Sequence, residues 1–119
     1  MNTILVIDDE IQIVEILEQF LSSEGFKVET AYNGREGLEK LDECHPDIIL
    51  LDEKMPEVGG AAFRQGMQKL GKDIPVIVLT GSVGVGQKKD NNKQEYGYLL
   101  FKPVRLSDLK ELILEILSQ

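Results

Sequence analysis

The chain has 119 residues and a formal net charge of −8, from 13 basic and 21 acidic side chains. This length fits a single domain over residues 1–119, and the acidic balance argues against direct binding to nucleic-acid phosphates. No apolar run exceeds four residues, so we expect neither a membrane span nor a signal peptide. The lone cysteine, Cys44, excludes a disulfide framework and is typical of a cytoplasmic protein.

Five short segments of the sequence predict buried β-strands. Four of them are uninterrupted apolar runs bounded by polar or turn residues, which is typical of strands buried on both faces. They lie at residues 4–7, 48–51, 76–79 and 98–101. A weaker strand is predicted over residues 27–31, after the turn at Glu24 and Gly25.

Helices are predicted between these strands, over residues 10–23, 34–43, 60–70 and 106–117. Asn33 is placed to cap the second helix, and His45 with Pro46 ends it. Because strands and helices alternate, the predicted fold class is α/β with helices on both faces of a parallel sheet. Five strands favour the flavodoxin-like, doubly wound order 2-1-3-4-5.

The segment at residues 81–95 departs from this clean pattern. By topology it should hold a fourth helix, but it contains three glycines, and residues 87–95 include no aliphatic side chain. Glycines weaken a helix interior, and a helix without apolar residues cannot dock on a sheet. We therefore expect this helix to be short, displaced or partly disordered.

Three carboxylates follow strands that neighbour each other in the predicted sheet. Asp8 and Asp9 end the first strand and Asp52 ends the third, at the point where the winding direction reverses and ligands bind. Carboxylates so close together raise one another's pKa unless a cation lies between them. Asp9 alone could simply cap the first helix, but three carboxylates favour a hard divalent cation such as Mg²⁺.

Two further polar side chains follow the fourth and fifth strands. Thr80 offers a hydroxyl, and Lys102 offers an ammonium group just before Pro103, which stops the strand. The lysine could form a simple salt bridge with the carboxylates or bind phosphoryl oxygens. Carboxylates, a metal site, a hydroxyl and a lysine together are typical of phosphoryl transfer onto an aspartate.

In these residues the sequence resembles the receiver domain of two-component response regulators. The resemblance covers the whole chain, with the matching positions in the family's order and approximate spacing. They are Asp8-Asp9, Asp52, Met55-Pro56, Gly60, Thr80 and Lys102-Pro103.

The resemblance implies a role for each acidic residue. Asp52 is expected to be the phosphoacceptor and a magnesium ligand. Asp9 is expected to bind Mg²⁺ directly and Asp8 to bind it through water. The backbone carbonyl of Lys54 is the remaining protein ligand that the family pattern implies.

The resemblance also assigns the phosphoryl-binding and switch residues. Thr80 is expected to bind the phosphoryl group and report its presence, and Lys102 to pair with a phosphoryl oxygen. Pro103 is a candidate for a cis or structural proline. Family members usually carry an aromatic residue where this chain has Leu99, and the neighbouring Tyr98 has the opposite strand parity. The residues therefore support phosphorylation better than the usual output mechanism.

The partners are likewise implied by the resemblance. The donor would be a phosphohistidine on a sensor histidine kinase or a phosphotransfer protein, and the recipient of the signal a downstream effector or output domain. Phosphorylation would reposition the face formed by helix 4 (the segment at residues 81–95), strand 5 (residues 98–101) and helix 5 (residues 106–117). A homodimer could form through the same face. No direct partner is expected among nucleic acids or membranes.

Two other functional classes share parts of this pattern. A haloacid-dehalogenase-type enzyme also uses an aspartate nucleophile, but it needs a second Asp where Lys54 stands and a cap domain that does not fit this length. A pseudo-receiver would be a binding module of the same fold without phosphorylation, and Leu99 and the weak fourth helix keep that alternative open. We expect a signalling domain that catalyses only its own phosphorylation and slow dephosphorylation.

Overall fold

A computed structural model describes residues 1–53, 60–81, 90–94 and 97–119. In chain order its elements are β1 (Thr3–Ile7), α1 (Ile11–Ser23), β2 (Lys27–Ala31), α2 (Gly34–Cys44), β3 (Ile48–Asp52), α3 (Gly60–Lys69), β4 (Val76–Thr80), β5 (Asp90–Gln94), β6 (Gly97–Phe101) and α4 (Leu106–Leu117). The four predicted helices between and after the parallel strands are confirmed with their ends shifted by one residue at most. None of these described helices is both long and apolar enough to cross a membrane.

The strands form one sheet in the order β2-β1-β3-β4-β6-β5 within the described part of the chain. Every neighbouring pair from β2 to β6 is parallel, and β5 pairs antiparallel with β6 at the edge. Since β6 is the fifth parallel strand along the chain, the predicted order 2-1-3-4-5 is confirmed. The point where the winding reverses therefore lies between β1 and β3.

Both faces of the sheet are buried, because alternate residues of each strand point to opposite sides. Ile4 and Val6 of β1 pack with α1 and α4, whereas Leu5 and Ile7 pack with α2 and α3. This explains why the central strands are uninterrupted apolar runs. With both faces covered, the edge where the strands end is the place where polar side chains can collect.

Strand parity also separates the two residues that bear on the output mechanism. Tyr98 is 5% exposed and belongs to the core under α1 and α4, while Leu99 packs against the core on the opposite face. The predicted difference in orientation is therefore confirmed. Tyr98 also donates a hydrogen bond from its hydroxyl to Gln119 Oε1 at 3.3 Å, at the C-terminal end of the chain. The tyrosine cannot substitute for an aromatic residue at position 99.

Local capping fixes the ends of α2. Asn33 Oδ1 accepts a hydrogen bond from the backbone N–H of Glu36 at 2.8 Å, and Glu36 Oε1 accepts one from the N–H of Tyr32 at 2.9 Å. This reciprocal pair satisfies backbone donors that a helix start leaves open. At the other end His45 adopts a left-handed conformation with φ of 47°, and Pro46 follows. The predicted cap and stop of this helix are both confirmed.

The segment between β4 and β6 differs from the expectation. Residues 90–94 form the edge strand β5, with an irregular register against β6, where the sequence predicted part of a weak fourth helix. The physical reason lies in composition: a helix here has no aliphatic side chain to bury, whereas an edge strand needs only backbone hydrogen bonds to its neighbour. The rest of this predicted helix, at residues 82–89 and 95, lies outside the described residues.

The start of β6 depends on a glycine. Gly97 has a φ of +92°, and a Cβ atom there would lie 2.5 Å from the carbonyl oxygen of Val76. The Gly97→Ala variant is therefore expected to lose about 3 kcal/mol of unfolding free energy in urea denaturation. Gly71→Ala is the matched control, since Gly71 has a φ of +72° but no described atom within 4 Å of the added methyl group. It should lose about 1 kcal/mol, and equal losses would contradict this account.

Candidate functional site

The carboxyl ends of β1, β3, β4 and β6 bring four predicted site residues to one edge of the sheet. Asp8 directly follows β1, Asp52 ends β3, Thr80 ends β4 and Lys102 directly follows β6. The parallel register aligns them, and the backbone N–H of Lys102 donates to the carbonyl of Thr80 at 2.8 Å. Asp8, Asp52 and Thr80 are each at most 2% exposed.

The central contact is an ion pair between Lys102 and Asp52. The lysine Nζ lies 3.0 Å from Asp52 Oδ1 and donates a hydrogen bond to it. Partial burial disfavours the charged lysine, but this hydrogen bond and the charges of Asp52, Asp8 and Glu10 outweigh it and raise the pKa of Lys102. The lysine therefore stays charged at neutral pH. It is positioned to neutralise one carboxylate of the site.

Asp8 is a buried carboxylate, and one of its two oxygens lacks a hydrogen-bond partner among the described residues. Its Oδ1 accepts a hydrogen bond from the backbone N–H of Glu10 at 2.9 Å, but its buried Oδ2 has no hydrogen-bond partner among the described residues. Burial, with the nearby charge of Asp52, raises the pKa of Asp8 from 3.8 to about 6, although the Glu10 N–H and the Lys102 charge act against this. An ionised Asp8 therefore needs a further positive charge or donor.

Three carboxylates are close enough to share a cation. Among the described residues, one oxygen from each of Asp8, Glu10 and Asp52 lies within 4.8 Å of the others. An all-oxygen donor set with net negative charge suits Mg²⁺, and the unpartnered Asp8 Oδ2 is the kind of atom that such an ion, or its water, would satisfy. The residues present therefore fit a magnesium ion.

The sequence-based ligand set and the observed cluster differ in one member. Asp9 is exposed and does not belong to the cluster, which instead contains Glu10. Sequence reasoning missed Glu10, although strand parity could have found it: Glu10 keeps an extended backbone, so Asp8 and Glu10, two residues apart, share a side. Lys54, like Met55 and Pro56, lies outside the described residues.

Thr80 has an acidic neighbour that sequence reasoning also missed. Its hydroxyl Oγ1 donates a hydrogen bond to Glu53 Oε1 at 2.6 Å. Glu53 directly follows Asp52, but no pattern in the sequence distinguished it from an exposed glutamate at a strand end. The peptide bond between Lys102 and Pro103 is cis.

Comparison with known proteins identifies the family. The family model described as the response regulator receiver domain matches residues 4–114. This chain belongs to the response regulator receiver family. Receiver domains are signalling domains that interact with histidine kinases and output domains and bind Mg²⁺ at an acidic pocket. This receiver domain has a cluster of three carboxylates at one edge of its sheet.

Individual relatives agree with this family. The chain is 35% identical over 116 residues to a putative transcriptional regulator of Haloferax volcanii, covering 98% of this chain and 19% of the relative. It is 35% identical over 109 residues to the response regulator MprA of Mycolicibacterium vanbaalenii, covering 89% of this chain and 46% of the relative. This receiver domain thus spans less than half the length of these curated relatives.

One solved structure of the same fold is described as a complex with Mg²⁺ and BeF. The response regulator TrrA of Thermotoga maritima, whose structure is described as a complex with Mg²⁺ and BeF, matches this chain with a TM-score of 0.80 at 30% identity. The match covers 98% of this chain and 99% of that one. The fold of this receiver domain is therefore similar to that protein's over almost its whole length.

Removing the charge of Asp8 should change how stability depends on pH. Because the pKa of Asp8 is about 6 in the folded state and 3.8 without the fold, wild-type stability without metal should fall as pH rises from about 4 through about 6. Asp8→Asn lacks this loss, so without metal it should melt at a higher temperature than wild type at pH 7 and at a similar temperature near pH 4. Thermal melts in EDTA measure this. A wild type that is the more stable protein at pH 7 without metal would contradict the repulsion described here.

Proposed function

We propose that Asp52 accepts a phosphoryl group from a phosphohistidine on a sensor histidine kinase or phosphotransfer protein, and that Mg²⁺ assists the transfer. The observation that supports this most is the placement of Asp52. Its carboxylate is 2% exposed, holds Lys102 at 3.0 Å and shares the carboxylate cluster with Asp8 and Glu10. No other described carboxylate has both a lysine partner and a cluster of oxygen ligands at the edge of the sheet.

The chemistry needs a nucleophile and charge neutralisation. One Asp52 carboxylate oxygen forms a bond to phosphorus while the bond from phosphorus to the imidazole nitrogen of the donor breaks, and the electron pair leaves with the imidazole. Lys102 already lies against Asp52 and supplies positive charge to the incoming phosphoryl oxygens. Thr80 supplies one hydroxyl donor at the same edge. The product is an aspartyl phosphate that water can hydrolyse slowly.

Mg²⁺ fits beside these groups. When bound, a magnesium ion would supply positive charge shared between the carboxylates and the phosphoryl oxygens. We propose Asp8, Asp9 and Asp52 as its carboxylate ligands, direct or through water, together with the backbone carbonyl of Lys54. Glu10 adds a fourth carboxylate to this region. Burial makes the ionised form of Asp8 unfavourable on its own, so a bound ion would stabilise it.

The proposal makes this domain a signalling module and not an enzyme acting on other substrates. It would catalyse only its own phosphorylation and slow dephosphorylation. A haloacid-dehalogenase-type hydrolase would need a general acid where the sequence has Lys54. The non-phosphorylated pseudo-receiver alternative is weakened because Asp8, Asp52, Thr80 and Lys102 all lie at one edge of the sheet.

This domain has an apolar surface next to the site, to which a donor protein could bind. A cavity of about 400 Å³ adjoins Lys102, between α1 and the connection from β6 to α4. Its apolar lining includes Ile13, Ile16, Leu17, Pro103, Val104 and Leu106. Ile16 and Ile11 of α1 are 51% and 59% exposed, which supports a protein partner here.

The signal would leave through the surface of β6 and α4 and the segment before them. This is the family's output face, where we propose that a downstream effector or output domain binds, or a second copy in a homodimer. The acidic chain itself is not proposed to touch nucleic acid, although the relatives include transcriptional regulators. The cytoplasmic location predicted from composition stays a prediction.

Phosphorylation of Asp52 is tested with a small-molecule donor. Wild type incubated with acetyl phosphate and Mg²⁺ should gain one phosphoryl adduct by intact-mass measurement, and EDTA should prevent it. Asp52→Asn should lose the adduct because it removes the nucleophilic oxygen. Asp73→Asn is the matched control, since Asp73 is an exposed aspartate before β4, at the opposite edge of the sheet. An adduct of undiminished yield in Asp52→Asn would refute the assignment.

Asp8 and Asp52 are two of the three proposed carboxylate ligands of Mg²⁺. Comparing variants of Asp9 and Glu10 tests which of these two residues is the third. The family resemblance predicts that Asp9→Ala weakens Mg²⁺ binding about tenfold or more, because a hard oxygen ligand is lost. Glu10→Gln should weaken it less, through charge alone. Calorimetric titration with Mg²⁺ measures both affinities. The reverse order of losses would assign the ligand to Glu10, which belongs to the observed carboxylate cluster.

A further inference from the structure

The hydroxyl of Thr80 is held by an acidic side chain outside the proposed phosphoryl site. Its Oγ1 lies 2.6 Å from Glu53 Oε1, a short distance typical of a hydroxyl that donates to a carboxylate. Thr80 is 2% exposed, whereas Glu53 is exposed. The contact therefore links a buried group of the site to an exposed, charged side chain.

The backbone holds Glu53 in the position this contact needs. Its N–H donates to the carbonyl of Leu79 at 3.0 Å, which extends the ladder between β3 and β4 by one residue. In the same ladder Asp52 is paired with Leu79, the residue before Thr80. Glu53 and Thr80 are therefore next to each other across the two strand ends, and the hydrogen bond follows from the register.

We propose that Glu53 is a positioning residue. In the unphosphorylated domain it holds the Thr80 hydroxyl away from the position that a phosphoryl group on Asp52 would take. The proposal rests on the function proposed above. A threonine hydroxyl carries one proton and can donate one hydrogen bond at a time. While Glu53 accepts that bond, a phosphoryl oxygen on Asp52 cannot. Phosphorylation thus requires the hydroxyl to exchange one anionic acceptor for another.

Lys102 does not face the same competition. Its ammonium group has three donors, so it can keep its contact with Asp52 while it also binds a phosphoryl oxygen. Thr80 has no such reserve, and its switch from Glu53 to the phosphoryl group is all or none. The two phosphoryl-binding groups therefore differ. Lys102 can bind a phosphoryl oxygen without losing its bond to Asp52, whereas Thr80 must first break its bond to Glu53.

Glu53 should accordingly slow phosphorylation. If the Thr80 bond forms in the transition state, breaking the bond to Glu53 adds to the barrier. Glu53→Ala should raise the rate constant of phosphorylation by about tenfold, a typical value for one bond to a charged acceptor. Glu53→Gln keeps an acceptor oxygen without the charge and should have an intermediate rate, because bonds to neutral acceptors are roughly half as strong.

The test combines these variants with Thr80→Val, which removes the hydroxyl. Phosphorylation by acetyl phosphate at saturating Mg²⁺ is followed by intact mass in wild type, Glu53→Ala, Glu53→Gln, Thr80→Val and the double variant Glu53→Ala with Thr80→Val. Glu53→Ala should accelerate the reaction in the wild-type background and leave it unchanged in the Thr80→Val background. Glu18→Gln, an exposed glutamate on α1, should equal wild type. Equal acceleration in both backgrounds would mean simple charge repulsion and would overturn the proposal.

A second readout does not depend on phosphorylation. In the metal-free protein, three-bond couplings of the Thr80 methyl carbon should report one dominant rotamer in wild type and rotamer averaging in Glu53→Ala. Identical rotamer populations would overturn the role of Glu53 even if Asp52 is phosphorylated normally. If wild type and Glu53→Ala differ in rotamer populations but wild type gains no adduct on Asp52, the proposed function is overturned. The exchange of acceptors by the Thr80 hydroxyl is then overturned with it.

Discussion

Two buried carboxylates lie beside one lysine that bonds to only one of them, and the rest of the site depends on that imbalance of charge. Asp8 and Asp52 lie at the ends of adjacent strands and are almost fully buried, while the Lys102 ammonium group bonds to Asp52 and to no other carboxylate among the described residues. Asp8 keeps a buried oxygen without a partner among the described residues, and its pKa is raised to about 6. The folded domain thus stores unfavourable electrostatic energy at one point. A bound cation would relieve it, and on the proposed function this would couple metal binding to the state of Asp52.

The sheet is what holds these charges together. Both faces of the central strands are covered by helices, so the backbone positions of Asp8, Asp52 and Thr80 are fixed by two packed cores. A site built on rigid strand ends can keep like charges close, because the packing of the whole domain opposes their separation. The irregularly paired strand β5, in contrast, lies at the periphery of the sheet and not at the site.

The sequence allowed much of this to be predicted, and the misses have identifiable causes. The parallel order followed from alternating apolar runs and helices, and the positions of Asp8, Asp52, Thr80 and Lys102 followed from the rule that parallel strands end at one edge. The edge strand β5 was missed because topology suggested a helix, although the composition argued against one. Glu10 was missed although strand alternation places it on the same side as Asp8. Glu53 was missed because an exposed glutamate next to a strand end has no pattern of its own, and its contact with Thr80 depends on the register between β3 and β4.

On the proposed function, the carboxylates and Lys102 form one phosphoryl-binding site that needs a cation. Titration of the ¹⁵N-labelled protein with beryllofluoride, a phosphoryl mimic, tests it most directly by NMR. With Mg²⁺ present, the account predicts a new set of amide resonances at Asp52, Thr80 and Lys102, and no such set without Mg²⁺ or in Lys102→Ala under the same conditions. Beryllofluoride binding of equal affinity without Mg²⁺, or resonance changes confined to other parts of the sheet, would contradict the account.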